Sequence, residues 1–307
     1  MPIASIDIGT NTAILLIAKQ EDSLLKTIHH EAQMPRLGED IKQTRQLKPE
    51  AIERTVAVLR DYKKTIEKHS CEQILIIATA ACRLARNVLD FTARVQEELG
   101  LNVMIIPGEE EARLIHKTCA REFHDLGQVF TVLDIGGGST EIITSSEEDI
   151  TYNSLDFGVV TLTQQFLHSD PPTKKDLKTL RDYIREKLAP YKQLATSDQR
   201  QILIATAGTP TTLSALHQQL EFYDHDRVHK SKLSKANIQT LLNKLVSMPL
   251  SERKLLPCLP PKRADVIIAG TIILDVVLEE MNIEELHVSD HGLAHGIIYD
   301  MLPPTSE

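Results

Sequence analysis

Residues 5–17 read SIDIGTNTAILLI and residues 132–143 read VLDIGGGSTEII. Each is an apolar run closed by Asp-Ile-Gly, then a turn of Gly, Ser, Thr or Asn, then a second apolar run. Small turn residues let the backbone approach a ligand closely, and the flanking strands hold the turn rigid. Two hairpins of one pattern, one per half of the chain, predict two similar lobes facing each other across a cleft.

Outward from the hairpins, strands alternate with helices. The first half reads as a helix over 47–70, with Lys48-Pro49 at its start and Ile52, Val56, Leu59 and Ile66 in one stripe. A strand over 73–78 follows, then a helix from Thr79 to about Leu99 ended by Gly100. Next come a strand over 102–106 and, after Pro107-Gly108, a helix over 109–122. The second half reads as strand 129–135, helix 173–194, strand 201–205, helix 209–220 and a loop over 221–233. Helices 234–248 and 264–281, strand 285–289 and a last helix over 292–301 complete it. This alternation defines an α/β class. The expected division is an N-terminal lobe over 1–125 and a C-terminal lobe over 126–307, the last helix being free to pack back on the first lobe.

The chain has 307 residues, enough for two domains with separate cores. Hydrophobic residues at 42% and charged residues at 25% exclude disordered and low-complexity classes. With 34 Lys+Arg against 43 Asp+Glu and a net charge of -9, no basic face is available for nucleic acid. The apolar run Val266 to Leu278 is broken by Asp275 and falls short of the roughly 20 residues of a membrane span. Four cysteines without a C-x-x-C pair, and an N-terminus without a basic leader, point to free thiols in the cytoplasm.

Successive backbone N–H groups in the turn Gly136, Gly137, Gly138, Ser139 can form a nest for phosphate oxygens. It is neither a Rossmann fingerprint, since position 141 is Glu, nor a Walker loop, since no Gly-Lys-Ser/Thr follows. Asp134 and Glu141 stand at the strand ends beside this turn, where both carboxylates can face one hard cation or stand as a solvated rim pair. Arg83, one turn into the helix after Thr79, can clamp a phosphate or be a surface charge; Arg86 reads as solvent-facing. Glu109, Glu110 and Glu111 complement a helix dipole, and one of them can point into the cleft as a general base. Ala205 to Thr212, with Gly208 and Thr209, is a third strand–turn–helix suited to an anion or nucleotide. His291 and His295 lack the H-E-x-x-H pattern, with Gly292 weakening a helix between them, and His225 and His229 sit in a polar stretch as solvated histidines. No Cys-x5-Arg loop, D-x-D-x-T motif or G-x-S-x-G elbow is present, so direct attack by water is the simplest chemistry.

Seven ordered stretches resemble the Ppx/GppA family, the exopolyphosphatases and guanosine pentaphosphate phosphohydrolases of the actin/sugar-kinase/Hsp70 superfamily. They are IDIGTNT (6–12), ATAACRLARN (78–87), PGEEEARL (107–114), LDIGGGSTEI (133–142), AGTPTTLSAL (207–216), YDHDRVHKSKLS (223–234) and RADVIIAG (263–270). The resemblance implies two ribonuclease-H-like lobes around a central cleft, in a short two-domain form. It implies Glu111 as the base that activates water and Arg83 as a phosphate ligand. Gly9, Thr10 and Asn11 would form one phosphate loop, residues 136–139 the other, and Gly208 with Thr209 a third contact. Asp134 and Glu141, with Asp7, would hold Mg²⁺ or Mn²⁺. The implied substrates are inorganic polyphosphate or pppGpp, and relatives are often dimers, which suggests a homodimer. Kinase or ATPase activity on the same fold, and a noncatalytic sensor of alarmone or polyphosphate, are the rival readings. Two departures bear on substrate preference: Ala294-His295 where relatives often carry Arg-Glu, and Ala205 and Ala207 where many carry glycine.

Overall fold

A computed structural model describes residues 1–21, 24–146, 149–194 and 202–302. In chain order the first part holds β1 (Ile3–Ile8), β2 (Ala13–Glu21), β3 (Leu24–Gln33), α1 (Ile41–Thr44), α2 (Pro49–Lys68) and β4 (Gln73–Ala78). It continues with α3 (Ala80–Leu84), α4 (Val88–Leu99), β5 (Val103–Ile105) and α5 (Gly108–Glu122). The second part holds β6 (Thr131–Ile135), β7 (Thr140–Ser145), β8 (Ile150–Leu155), α6 (Val159–Phe166), α7 (Lys174–Leu188) and β9 (Leu203–Thr206). It continues with α8 (Gly208–His217), α9 (His225–Val228), β10 (Lys232–Ser234), α10 (Lys235–Ser247), α11 (Leu250–Arg253), α12 (Ile267–Glu280) and β11 (Glu285–Val288). The chain ends on α13 (Leu293–Met301).

The chain forms two compact units, residues 1–122 with 292–307, and residues 123–291. The first sheet has the order β3-β2-β1-β4-β5. The hairpins β1–β2 and β2–β3 are antiparallel, while β4 and β5 add in parallel. The second sheet runs β8-β7-β6-β9-β11 in the same pattern of directions, with β10 added antiparallel at the edge. Both are ribonuclease-H-like α/β sheets. The repeat holds at the level of single bonds: Gly9 N donates to Thr12 O at 2.8 Å and Gly136 N to Ser139 O at 3.1 Å.

The first core joins β1, β2 and β4 to α2 and α4 through Ile6, Ile52, Val56, Leu59 and Phe91. A smaller cluster on the opposite face joins Leu16, Ala18 and Leu25 to Ala294, Ile298 and Tyr299 of α13. The second core gathers β6, β9 and β11 around α12, whose residues from Ile267 to Leu278 are all buried. No described helix is long and apolar enough to cross a membrane.

The packing of the last helix on the first lobe, left open by the sequence, is what groups residues 292–307 with the first unit: α13 packs on β1, β2 and α5. Three expectations need correction. The helix expected over 79–99 is interrupted at residues 85–87. There Asn87 exchanges side-chain hydrogen bonds with the Leu47 backbone at 2.8 and 3.0 Å, and Arg86 N donates to Arg45 O. Those partners hold the backbone out of helical geometry. The stretch 221–233 is not plain loop but contains α9 and β10. The helix expected over 173–194 ends at Leu188 and passes into a 3₁₀ turn containing Pro190. Gln201, the expected start of β9, lies outside the described residues.

Candidate active site

In the first unit, β1 and β4 run in parallel, and Thr79 N donates to Ile8 O just beyond their paired ends. This is the C-terminal edge of the parallel strands, where open α/β sheets bind ligands. Gly38 N donates to Thr10 O at 2.9 Å and Arg36 N to Asn11 O at 3.1 Å. The carbonyls of Thr10 and Asn11 are thereby tied back into the protein. Gly38 allows this approach, since a Cβ there would lie 2.4 Å from Thr10 Cγ2. Among the described residues the N–H groups of Thr10, Asn11 and Thr12 meet no protein acceptor. Thr10 Oγ1 and Asn11 Oδ1 are likewise buried without a hydrogen-bond partner. Buried polar groups in that condition are costly unless a ligand or water satisfies them. A flip of the Asn11 amide turns its NH₂ donors to the same place.

Burial sorts the three glutamates of α5. Glu109 is exposed, Glu110 is half-buried and accepts two hydrogen bonds from Arg113, and Glu111 is 7% exposed. Arg83 Nη1 donates to Glu111 Oε2 at 2.6 Å and to Ile106 O at 3.1 Å. Burial pushes the Glu111 carboxyl above its ordinary value, against the opposing pull of Arg83 and a hydrogen bond from Thr79. Thr79 therefore links this pair to the strand end that carries the 9–12 turn.

In the second unit, Asp134 and Glu141 are direct cross-strand partners, and both are buried. The Ser154 hydroxyl of β8 donates to Glu141 Oε1 at 2.9 Å. Two neighbouring carboxylates out of water favour a shared cation or proton, and an all-oxygen donor set fits Mg²⁺ or Mn²⁺. Asp7 stands at the equivalent place in the first unit, opposite Ile14. The carboxylate pair therefore occurs in one unit only. Gly138 and Ser139 are buried, and among the described residues the N–H groups of Gly137, Gly138 and Ser139 meet no protein acceptor.

The third loop follows β9. Arg263 Nη1 donates to Gly208 O at 3.1 Å and Thr212 Oγ1 at 2.9 Å, and a Cβ on Gly208 would meet the guanidinium at 2.4 Å. The Thr209 side chain packs on Gly270 of α12, where a Cβ would lie 2.2 Å from its Oγ1. Arg263 opens the stretch RADVIIAG, where no spacing rule marks it as a ligand; only the fold carries it to the third loop. Asp290, just beyond β11, accepts hydrogen bonds from Tyr223 Oη and His225 Nδ1, each at 2.5 Å. That carboxylate raises the His225 pKa. His229 stacks on His291 with ring centroids 4.0 Å apart. These histidines are partnered, contrary to the solvated expectation. His291 precedes α13, so it does not share a helical face with His295.

Two α/β units, each with a small-residue turn at the carboxyl edge of its sheet, define a ribonuclease-H-like protein with buried polar turns. Residues 16–305 match the model of the Ppx/GppA phosphatase family, and the chain belongs to that family. It is 36% identical over 308 residues to exopolyphosphatase 2 of Mycobacterium tuberculosis, covering 96% of this chain and 97% of that protein. A crystal structure of the Aquifex aeolicus family member matches with TM-score 0.82 and 33% identity over 98% of this chain and 97% of its own. An exopolyphosphatase from Cytophaga hutchinsonii matches with TM-score 0.89 and 26% identity, covering 98% and 97%.

Proposed function

We propose that the protein is a Mg²⁺-assisted phosphoanhydride hydrolase that releases terminal phosphate from inorganic polyphosphate or the 5′ γ-phosphate from pppGpp. The observation that carries this reading is the buried Glu111, paired with Arg83 beside the strand edge that bears the 9–12 turn. Glu111 accepts the proton of the attacking water. Arg83 turns from its carboxylate toward a phosphoryl oxygen as negative charge develops there. The N–H groups of residues 10–12 and 137–139 bind phosphoryl oxygens. Asp134 and Glu141 hold the divalent ion, which supplies charge neutralisation on the phosphoryl group. The mycobacterial and Cytophaga relatives, both named exopolyphosphatases, support a hydrolase over a kinase or a sensor.

General-base assistance is typically worth about 10²–10⁴-fold. Glu111→Ala is expected to lower phosphate release by that factor while its circular dichroism and melting temperature stay near wild type. The assay runs polyphosphates of defined length and pppGpp side by side, with and without Mg²⁺. Near-normal release by the variant removes Glu111 from the mechanism, and no release from either substrate by the wild type removes the activity.

A further inference from the structure

The second unit holds its turn differently from the first. The carbonyls of Gly136 and Gly137 accept from the opening N–H groups of α6: Val159 N to Gly136 O at 3.0 Å and Val160 N to Gly137 O at 2.9 Å. The N-cap residue of α6 is Gly158, with extended backbone at φ -147 and ψ -175. Its lack of a side chain is a matter of space. A Cβ there would lie 2.4 Å from Gly136 O and 2.6 Å from both C and O of Gly137. These are backbone atoms, which cannot yield as a flexible side chain can. The helix start is itself fixed, because Thr161 Oγ1 accepts from Gly158 N at 2.9 Å and donates to Gly158 O at 3.1 Å. The first N–H groups of a helix lack partners inside it. Here those of Val159 and Val160 are spent on the turn, so this helix end does not serve as an anion site.

We propose that Gly158 and the first turn of α6 are a positioning element, which orients the peptide groups of the 136–139 turn so that its N–H groups face a phosphoryl oxygen of the substrate. A peptide group has its C=O and its N–H on opposite sides, so anchoring a carbonyl on α6 aims the next residue's N–H away from the helix. Gly136 O anchored to Val159 aims Gly137 N–H, and Gly137 O anchored to Val160 aims Gly138 N–H. The inference rests on the phosphate-binding reading of this turn.

Two variants test it. Gly158→Ala inserts the methyl group against Gly136 and Gly137. Val159→Pro replaces the N–H that holds Gly136 O by the ring Cδ, which removes the bond and pushes that carbonyl aside, at the first helical position, where proline is favoured and extended Gly158 suits a residue before proline. Each is compared with wild type for melting temperature, kcat and KM on tripolyphosphate, and tripolyphosphate affinity by calorimetry in a Glu111→Gln background. The expected result for Val159→Pro is a melting temperature within a few degrees of wild type. Affinity and kcat/KM should both fall at least about tenfold, and further for Gly158→Ala where it folds. A role confined to folding would lower the melting temperature without weakening affinity in the folded protein. Wild-type affinity and kcat/KM in folded Val159→Pro overturn the inference. A wild type that binds no tripolyphosphate instead overturns the reading of the turn on which it rests.

Discussion

Three adjacent glutamates open α5, and their surroundings give them three fates. Only Glu111 combines burial with an Arg83 partner and a raised pKa. A base must be ionised to accept a proton, so the acid limb of kcat/KM is expected above the ordinary glutamate value of 4.5. The sign for stability is opposite. A carboxyl raised on folding stabilises below its unfolded pKa, and that contribution is lost as pH rises through the folded pKa. Wild type should therefore lose stability relative to Glu111→Gln as pH rises through that window, as read from denaturant melts at stepped pH. An acid limb at or below 4.5 contradicts the assignment. Ala207 is the other telling residue. It sits at φ 74, ψ -172, a region open essentially to glycine and costing about 1–3 kcal/mol for other residues. Glycine would lose roughly 0.4–1 kcal/mol of that gain to unfolded-state entropy. Ala207→Gly should thus stabilise the second unit by about 1 kcal/mol, a rise of roughly 2–4 °C in calorimetry. A lower melting temperature would mean the strain is not there.

The elements that position Glu111 depend on close helix contact. Gly296 of α13 faces α5, and a Cβ there would lie 2.2 Å from Leu114 O and 2.7 Å from Leu114 C. Arg113 and Lys117 of α5 also bond Asp300 of α13 at 2.8–3.0 Å. Helix propensity alone favours alanine over glycine by about 1 kcal/mol, whereas overpacking against backbone typically costs about 1–3 kcal/mol. Gly296→Ala is expected to lower both the melting temperature and kcat, because α5 must shift and carries Glu111 with it; a stabilised variant would show that propensity wins. The sequence was informative where periodicity is strong. The hairpins β1–β2 and β6–β7 are buried on both faces and read as apolar runs, and α2 shows its stripe. The edge strands β3 and β8 bury little beyond Leu25 and Leu155, so no alternation announces them. Helix α6 begins Val-Val-Thr, which reads as readily as strand, so no pattern announces the support beneath the second turn. Tyr223, Arg263 and Asp290 come together only through the fold, as no spacing rule joins residues so far apart in the chain.

The whole molecule is discontinuous in sequence, since its last helix completes the first unit. Removing residues 292–307 takes away Ala294, Ile298 and Tyr299, which cover Leu16, Ala18 and Leu25. It also deletes the Tyr299 hydroxyl that donates to buried Glu122 at 2.7 Å and accepts from Leu25 N at 3.2 Å. The Ser5 hydroxyl loses its acceptor, Ala294 O. Burying one large apolar side chain contributes about 1.5–3 kcal/mol. Losing Ile298 and Tyr299 with their hydrogen bonds thus approaches the roughly 5–15 kcal/mol that stabilises a domain. The second unit, by contrast, keeps every residue of its own core, from Leu133 to Val288. A chain ending at residue 291 is therefore expected to lose phosphate release and to exchange the amides of β1, β2 and α5 rapidly. The amides of β6 and β9 should stay protected in the same hydrogen-exchange experiment. Equal loss of protection in both sheets would show that the two units unfold as one cooperative body, and retained protection in β1 and β2 would show that α13 is dispensable to the first sheet.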